Sequence, residues 1–204
     1  MNVLDHALVH HDLCALRASA SPIQIYRAAS NRISTLLIAE ALRGLSTTKV
    51  SVETPLSQTD GHRILEDVIA VAVLRAGLSM IDPFIQLFPE VKVAHLGYER
   101  DEESHKARHY YEKIPPLTTS SNVFICDPML ATGGTVCQCI DSFKAKGAHK
   151  IHVLSIIGAP EGVARVKNEH PEVTITLAAL DSHLNEQAYI VPGLGDAGDR
   201  TYGT

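Results

Sequence analysis

Apolar runs of five to eight residues alternate along the chain with segments whose apolar positions recur every three to four residues. The runs predict strands at 68–74, 91–96, 122–126, 151–158 and 174–180. The periodic segments predict helices at 21–44, at 78–88, from about Gly134 and from Pro160. Ser21 and Gln24 predict a capping box on the first helix. This alternation favours parallel strands with right-handed crossovers and a ligand site at the carboxyl ends of the strands.

The predicted strand at 122–126 is followed by a carboxylate, Asp127, and by a turn of small residues that begins a helix. Unpaired N–H groups at the helix start, the helix dipole, and the bare backbone of Gly133 and Gly134 suit a phosphate. Thr132 and Thr135 can add hydroxyl donors. Asp127 would repel a phosphate, so we expect it to accept hydrogen bonds from hydroxyl groups such as those of ribose. The pattern therefore predicts a sugar phosphate ligand.

A Thr-Gly-Gly turn alone is equally typical of an ordinary strand-to-helix connection. The longer run is more specific, and two common phosphate sites are excluded. No lysine follows the glycines, as a nucleoside triphosphate loop requires, and the GxGxxG spacing of a dinucleotide site is absent.

The run at 127–135 (DPMLATGGT) resembles the phosphoribosyl pyrophosphate (PRPP) loop of type I phosphoribosyltransferases, in the form found in the uracil phosphoribosyltransferase family. The C-terminal run at 189–200 (YIVPGLGDAGDR) is similar to the uracil-binding segment of that family. Shorter similar runs follow in family order at 52–56, 74–78, 100–103 and 159–162. The resemblance covers essentially the whole chain. It implies a Rossmann-like α/β fold, with a central mainly parallel sheet flanked by helices, a flexible arm and a C-terminal uracil-binding segment, in one domain over 1–204.

The resemblance implies a pentosyl transferase of pyrimidine salvage, which moves the 5-phosphoribosyl group of PRPP to uracil and forms uridine monophosphate (UMP) and pyrophosphate. The residues that it assigns to PRPP are Arg75, Arg100, Asp127, Pro128, Met129, Leu130, Ala131, Thr132, Gly133, Gly134, Thr135 and Asp196. Those that it assigns to uracil are Ile190, Gly195, Asp196 and Ala197. The catalytic set is Arg75, Arg100, Asp127 and Asp196. Magnesium is implied as a cofactor bound mainly through PRPP, with no metal site made by the chain alone.

The general base for the uracil N1 proton stays open between Asp196 and a phosphate oxygen of the substrate. The family also implies a dimer or tetramer and a response to guanosine triphosphate (GTP), which no residue of this chain decides. Three alternatives stay open: a phosphoribosyltransferase for another base, an inactive homologue, and an RNA-binding regulator. The net charge of −5 disfavours the last of these.

Arg75 follows a predicted strand and precedes two small residues, Ala76 and Gly77. It could cap a helix or pair with Asp82, whereas the resemblance makes this turn the pyrophosphate loop.

The charged run at 99–108 is typical of a solvated loop. By resemblance it begins the flexible arm, whose arginine, Arg100, reaches the pyrophosphate; the usual tyrosine before that arginine is Glu99 here. A metal site at His105 and His109 would need a helix and a third ligand.

Composition changes this picture little. With 204 residues and 45% hydrophobic content, the chain can bury one core. Its cysteines, at positions 14, 126, 137 and 139, indicate free thiols in a reducing interior. Cys137 and Cys139 point in different directions on a helix, which disfavours a shared metal. No apolar run approaches the ~20 residues of a membrane helix, so we expect a cytoplasmic protein without membrane or nucleic-acid partners.

Overall fold

A computed structural model of the protein describes residues 1–100 and 107–204. The strands, in chain order, are β1 (Asn2–Val3), β2 (Thr47–Glu53), β3 (Gln58–Ile64), β4 (Asp67–Leu74), β5 (Lys92–Arg100), β6 (Ala107–Lys113), β7 (Ser121–Cys126), β8 (Met129–Leu130), β9 (Lys150–Gly158), β10 (Thr174–Leu180), β11 (His183–Leu184) and β12 (Ile190–Val191). The helices are α1 (Ala7–Arg17), α2 (Ile23–Leu42), α3 (Ile81–Leu87), α4 (Gly134–Ala145), α5 (Pro160–Glu169) and α6 (Ala197–Tyr202), with a 3₁₀ helix at Ala76–Met80.

The main sheet has the strand order β1-β10-β9-β7-β4-β5-β6, with β8 beside β9. Its neighbouring strands run parallel, apart from the antiparallel pair β5 and β6. The chain leaves β4 towards β5 on one side and later returns to β7 on the other, so the winding reverses between β4 and β7. Ligands of such sheets bind at this switch point, outside the carboxyl ends of the strands. The expected α/β architecture around a mainly parallel sheet is confirmed.

Helices cover both faces of the sheet because the central strands are apolar on both faces. Along β4, Val68 and Ala70 belong to the core that includes α2, whereas Ile69 and Val71 belong to the core that includes α4. All residues of β7 are buried. Double burial explains why these strands are unbroken apolar runs in the sequence. Packing on both faces also holds in place the carboxyl ends of these strands, from which the candidate site is built.

The predicted strands near 122–126, 151–158 and 174–180 are confirmed within a residue, as are the helices from Gly134 and Pro160. The predicted helix at 78–88 is wrong in its start, because a 3₁₀ helix precedes α3. The capping box is also wrong: α2 begins at Ile23, and the Ser21 hydroxyl instead donates to the carbonyl of Ala15 at 2.6 Å. β5 extends beyond residue 96, because β6 pairs with its second half.

Several elements have no counterpart among the predictions: the short strands β1 and β8, the edge strand β6, the helices α1 and α6, the hairpin of β2 and β3, and the hairpin of β11 and β12. α1 buries Val9, Leu13 and Leu16 along one face. Most residues of β2 and β3 are exposed, and the sequence of β3 lacks the alternation that marks a half-buried strand. No helix in the described parts of the chain is long and apolar enough to cross a membrane.

Candidate active site

The loop after β7 is fixed to the neighbouring strand β9. The Asp127 N–H donates to the carbonyl of Leu154 at 3.1 Å, and the Ala159 N–H donates to the carbonyl of Leu130 at 2.9 Å. Between these bonds, β8 runs parallel to β9. The first half of the predicted phosphate loop is therefore a short strand of the sheet, which holds the turn at 132–135 in a defined position.

The turn at 132–135 delivers the start of α4 to the cleft. Gly133, with φ +76°, has a left-handed conformation that favours glycine, and α4 begins at the next residue. No side chain caps this helix, and its first turn contains no acidic residue. The amide groups of the first turn are therefore available to an anion, apart from a long 3.4 Å contact of the Gly134 N–H with the Thr132 hydroxyl. The uncapped helix start that the sequence predicted is present, and anion binding there stays a prediction.

Glycines on both sides bring α5 into direct backbone contact with this loop. A Cβ on Gly162 would lie 2.2 Å from the carbonyl oxygen of Ala131, and one on Gly133 would lie 2.9 Å from the carbonyl oxygen of Gly162. Real Cβ atoms are not found this close to backbone. Gly162 is therefore a site-forming residue that the sequence indicated only as part of the run at 159–162.

Asp127 is half-buried at the base of the cleft. One carboxylate oxygen accepts the Met129 N–H at 3.2 Å. Burial raises the pKa of Asp127 from 3.8 to about 7, and the bond from Met129 opposes that shift only in part. Additional hydroxyl donors would favour the ionised form and lower this pKa. The carboxyl group therefore suits a ligand that donates hydrogen bonds, as expected for ribose.

Arg75 lies at the carboxyl end of β4, at the start of the turn that leads into the 3₁₀ helix. Its guanidinium donates to the carboxylate of Asp199 at 3.1 Å, so its partner is Asp199, which belongs to α6, and not Asp82. The Tyr202 hydroxyl donates to the Arg75 carbonyl at 3.2 Å. The Leu74–Arg75 peptide bond is cis. The turn after β4 is thus attached to the C-terminal segment, and Arg75 is exposed to solvent.

The same turn packs directly on the end of β7. A Cβ on Gly77 would lie 2.3 Å from the carbonyl oxygen of Cys126, the residue before Asp127. Only glycine permits this approach. The turn that carries Arg75 and the loop that carries Asp127 are therefore neighbours at the switch point of the sheet.

The hairpin of β11 and β12 supplies the opposite wall of the cleft. Its connecting turn is organised by Asn185, whose side-chain oxygen accepts the N–H groups of Gln187 at 3.1 Å and Tyr189 at 2.9 Å. Ala188 has φ +62° in this turn. Gln187, Ala188 and Tyr189 line the cleft, although none of them was predicted as a site residue. An asparagine that bonds its own following backbone is a recognisable turn signal, but it does not show which wall the turn forms.

Asp196 is exposed and precedes α6, where one of its carboxylate oxygens accepts the Asp199 N–H at 2.9 Å. Gly195, just before it, has φ +79°. Ile190 and Ala197 are buried, each 4% exposed. The four residues assigned to uracil from the resemblance therefore lie together on one wall.

These elements enclose a cleft of about 420 Å³, which is the size of a small-molecule site. Its walls are formed by Asp127, Met129, Leu130, Ala131, Thr132, Gly133, Gly134, Thr135, Val136, Gln187, Ala188, Tyr189, Ile190, Gly195, Asp196 and Ala197. Of the predicted residues, Pro128 is buried beneath the loop, where its carbonyl accepts the N–H groups of Ile156 and Ile157. Arg75 is not part of the walls. The side chain of Arg100, like residues 101–106, lies outside the described residues.

Another group of metal-ligating side chains lies between α4 and α5. Ligand atoms of Cys137, Glu169 and His170 lie within 4.8 Å of one another. Lys144 Nζ is 2.8 Å from His170 Nδ1, and the Arg165 guanidinium donates to Glu169 at 2.8 Å. An ammonium can only donate, so Nδ1 accepts and Nε2 carries the ring proton. In this arrangement, His170 Nε2 has no lone pair for a metal. His109, the other histidine considered, lies in a strand, and His105 lies outside the described residues.

A sequence model of the uracil phosphoribosyltransferase family matches residues 3–204. The uracil phosphoribosyltransferase of Salinibacter ruber is 43% identical over 204 residues, which cover 100% of this chain and 97% of that protein. That of Roseiflexus castenholzii is 44% identical over 202 residues, with 99% and 97% covered. A solved structure of an Aquifex aeolicus protein aligns with a TM-score of 0.94 at 33% identity, covering 99% of this chain and 97% of the other. An adenine phosphoribosyltransferase from Thermoanaerobacter pseudethanolicus, with a TM-score of 0.54, 17% identity and coverage of 78% and 84%, shares the fold.

Proposed function

The chain belongs to the uracil phosphoribosyltransferase family, and on that premise we propose how its residues carry out the reaction. The protein transfers the 5-phosphoribosyl group of PRPP to uracil, forming UMP and pyrophosphate in pyrimidine salvage. The bond from C1 of the ribose to the pyrophosphate oxygen breaks, a bond from C1 to uracil N1 forms, and the N1 proton leaves. The observation that carries the assignment is a single cleft bounded by an uncapped helix start, a carboxylate and the C-terminal hairpin.

We assign the 5′-phosphate to the turn at 132–135. The free N–H groups of the first turn of α4 and the hydroxyls of Thr132 and Thr135 supply donors, and the helix dipole favours the negative charge. Met129, Leu130 and Ala131 form the wall beside it. This part of the site binds equally in substrate and product, so it positions the ribose and does not discriminate between them.

Asp127 is assigned to the ribose hydroxyls. Its carboxylate accepts hydrogen bonds from the hydroxyls, which fixes the sugar ring. The negative charge of the carboxylate also stabilises the cationic charge that develops on the ring as the bond to pyrophosphate breaks. No nucleophile is required if that bond breaks through an oxocarbenium-like state. Positioning and charge then supply the catalysis.

Arg75 and Arg100 are assigned to the leaving pyrophosphate, Arg100 on the resemblance alone. The two-pronged guanidinium group matches the spacing of phosphate oxygens. Arg75 is exposed at the end of β4, and binding a phosphate there would replace only its surface ion pair with Asp199. Carboxylate oxygens of Asp127 and Asp196 line the cleft, and such oxygens suit Mg²⁺ that is carried by substrate phosphates. Asp196 would help to hold Mg²⁺, and the bound ion would supply further charge neutralisation for the pyrophosphate.

The base is assigned to backbone groups at Ile190, Gly195, Asp196 and Ala197. Besides the reacting N1, uracil presents two carbonyl acceptors and the N3–H donor between them, and a base with another pattern leaves buried partners unpaired at about 1–3 kcal/mol each. The acceptor of the N1 proton is either the Asp196 carboxylate or a phosphate oxygen of the substrate.

The test incubates the protein with PRPP, Mg²⁺ and, separately, uracil, cytosine, hypoxanthine and adenine, and measures pyrophosphate and nucleotide. Release with uracil alone, with UMP as the product, is the expected result. Release with another base identifies a different phosphoribosyltransferase, and no release with any base identifies an inactive homologue. Tight, salt-sensitive RNA binding by the inactive protein would favour the regulator.

We further propose a homo-oligomer and a single domain over 1–204. Leu56 is 96% exposed and Leu65 is 71% exposed at the hairpin of β2 and β3, an unusual exposure for leucine that contact with a second copy would remove. Light scattering should give a dimer or tetramer mass, and calorimetry a single unfolding transition; a monomer mass or two separate transitions would contradict these proposals.

The family also implies activation by GTP, which initial rates with and without GTP would test. A cytoplasmic location is supported by the cysteines, all of which are free and three of which are buried. Cell fractionation would test the location.

A further inference from the structure

A buried ion pair joins the first helix to the strand that precedes the C-terminal hairpin. The Arg17 guanidinium, at the end of α1, donates to both carboxylate oxygens of Asp181, at 2.8 Å and 2.6 Å. Asp181 follows β10, and its side chain is only 3% exposed. The two residues are 164 positions apart. A fork-to-carboxylate pair of this kind fixes orientation as well as charge.

The same two side chains hold the backbone of Gly193 from both sides. The Gly193 N–H donates to Asp181 Oδ2 at 2.8 Å, and Arg17 Nη1 donates to the Gly193 carbonyl at 2.9 Å. Gly193 has φ +65°, and a Cβ there would lie 2.1 Å from the carbonyl oxygen of Ile190. Both polar groups of one turn residue are therefore bound by the ion pair. This turn lies between Ile190 and Gly195, two of the residues assigned to uracil.

A second arginine connects the same elements in the opposite direction. The Arg200 guanidinium, in α6, donates to the carbonyls of Leu16 and Ala18 at the end of α1, the latter at 2.6 Å. It also donates to the carbonyl of Leu194 at 2.9 Å and lies 4.5 Å from the centre of the Tyr26 ring. The end of α1 and the turn at 193–195 are thus joined by two arginines, Arg17 from α1 and Arg200 from α6.

We propose that Arg17 and Asp181 are positioning residues that fix the uracil-reading turn, and so determine the affinity for uracil much more strongly than the affinity for PRPP. Neither residue lines the cleft. The inference deepens the proposed function and rests on the assignment of uracil to the backbone at 190–197. The PRPP loop is fixed independently to β9 and α5, and Asp196 is held at the start of α6 by the Asp199 N–H. Loosening the turn at Gly193 therefore leaves most of the donor half of the site in place.

The chain offers a matched control in the ion pair of Arg32 and Asp12, which joins α1 to α2. Arg32 donates to both carboxylate oxygens of Asp12, at 2.9 Å and 2.5 Å, and the Asp12 side chain is 1% exposed. The described contacts of this pair do not include the C-terminal turn. Arg32→Met therefore removes a comparable ion pair that also anchors α1, through Asp12, and it leaves the contacts of Gly193 unchanged.

The experiment measures KM for uracil, KM for PRPP, kcat and thermal unfolding for wild type, Arg17→Met, Asp181→Asn, Arg17→Lys and Arg32→Met. We expect the uracil KM to rise about tenfold or more in Arg17→Met and Asp181→Asn, because displacing a binding group by about 1 Å costs up to 100-fold. The PRPP KM should stay within about twofold. The uracil KM of Arg17→Lys should lie between those of wild type and Arg17→Met, because a single ammonium group replaces the two-pronged guanidinium.

Three results would overturn the proposal: an unchanged uracil KM in folded Arg17→Met, an equal rise of both KM values, or the same uracil defect in Arg32→Met. The double variant Arg17→Met with Asp181→Asn removes the unpaired buried charge, so its stability should recover relative to Arg17→Met while its uracil KM stays high. Recovery of both would make the pair merely structural. Wild-type protein that forms no UMP would instead refute the proposed function, which separates the two failures.

Discussion

Gly162→Ala is expected to displace the PRPP loop, because a methyl group has no room at this position. A Cβ would lie 2.2 Å from the carbonyl oxygen of Ala131 and 3.0 Å from that of Leu130. Both are backbone atoms, so no side chain can rotate away. To bring the shorter contact to 3.0 Å, α5 and the loop must separate by about 0.8 Å.

The expected effect is larger on activity than on stability. Forcing an extra carbon into a packed contact costs about 1–3 kcal/mol. Alanine regains up to about 1 kcal/mol over glycine inside a helix, so the net loss of stability is about 0–3 kcal/mol. A displacement approaching 1 Å in a binding loop can cost on the order of 100-fold in rate. We therefore expect folded protein with impaired use of PRPP.

The assay is kcat/KM for PRPP at saturating uracil, together with the unfolding midpoint. Gly162→Ala should lower kcat/KM by about 10- to 100-fold. Gly44→Ala is the control, because a Cβ on Gly44 has no atom within 4 Å and should leave both quantities near wild type. A folded Gly162→Ala protein with wild-type kcat/KM for PRPP would refute the reasoning that this backbone contact positions the loop.

Four further predictions concern three side chains, Asp127, Asn185 and Arg75. Burial raises the pKa of Asp127 from 3.8 to about 7, so its ionised fraction falls as the pH drops below 7. The value of kcat/KM for PRPP should therefore fall below pH 7 in the wild type, whereas Asp127→Asn should not show this fall. The raised pKa means that ionisation opposes folding, so Asp127→Asn should gain stability relative to wild type as pH rises from 4 towards 7, and no relative gain would contradict the burial argument. Asn185→Ala removes the acceptor of two turn N–H groups and should raise the uracil KM by several-fold, while equal effects on the PRPP KM would count against its place in the base wall. Arg75→Ala should lower kcat at least 10-fold in a magnesium-dependent UMP assay, with exposed Arg43→Ala as the control, and near-native turnover would remove Arg75 from the catalytic set.

The strand, turn and helix start of the predicted phosphate loop could be predicted from the sequence because their determinants are consecutive. A buried strand, Asp127, two glycines and an apolar helix face follow one another between residues 122 and 143, so local rules suffice. The C-terminal segment required the family resemblance, since its glycine-rich turns alone are typical of many loops. Its backbone path, including the left-handed Gly193 and Gly195, is set by contacts that composition does not reveal.

Residues that act across the fold could not be predicted. Gly162 is needed because of the position of Ala131, and Arg17 because of Asp181, and neither relation leaves a local pattern. The helix at Ala7–Arg17 did leave a signal, since Val9, Leu13 and Leu16 recur at helical spacing. The pairing of Arg75 with Asp199, and not with Asp82, likewise depends on where the C-terminal helix packs.

The division of the cleft into a phosphate half and a base half is tested most directly by a crystal structure of the protein with UMP bound. Phosphate oxygens are expected within hydrogen-bond distance of the N–H groups at 133–135, with the ribose hydroxyls on the Asp127 carboxylate. The uracil edge is expected against the backbone of Ile190 and of 195–197. A phosphate bound away from the start of α4, or a base that does not contact the C-terminal segment, would contradict this division.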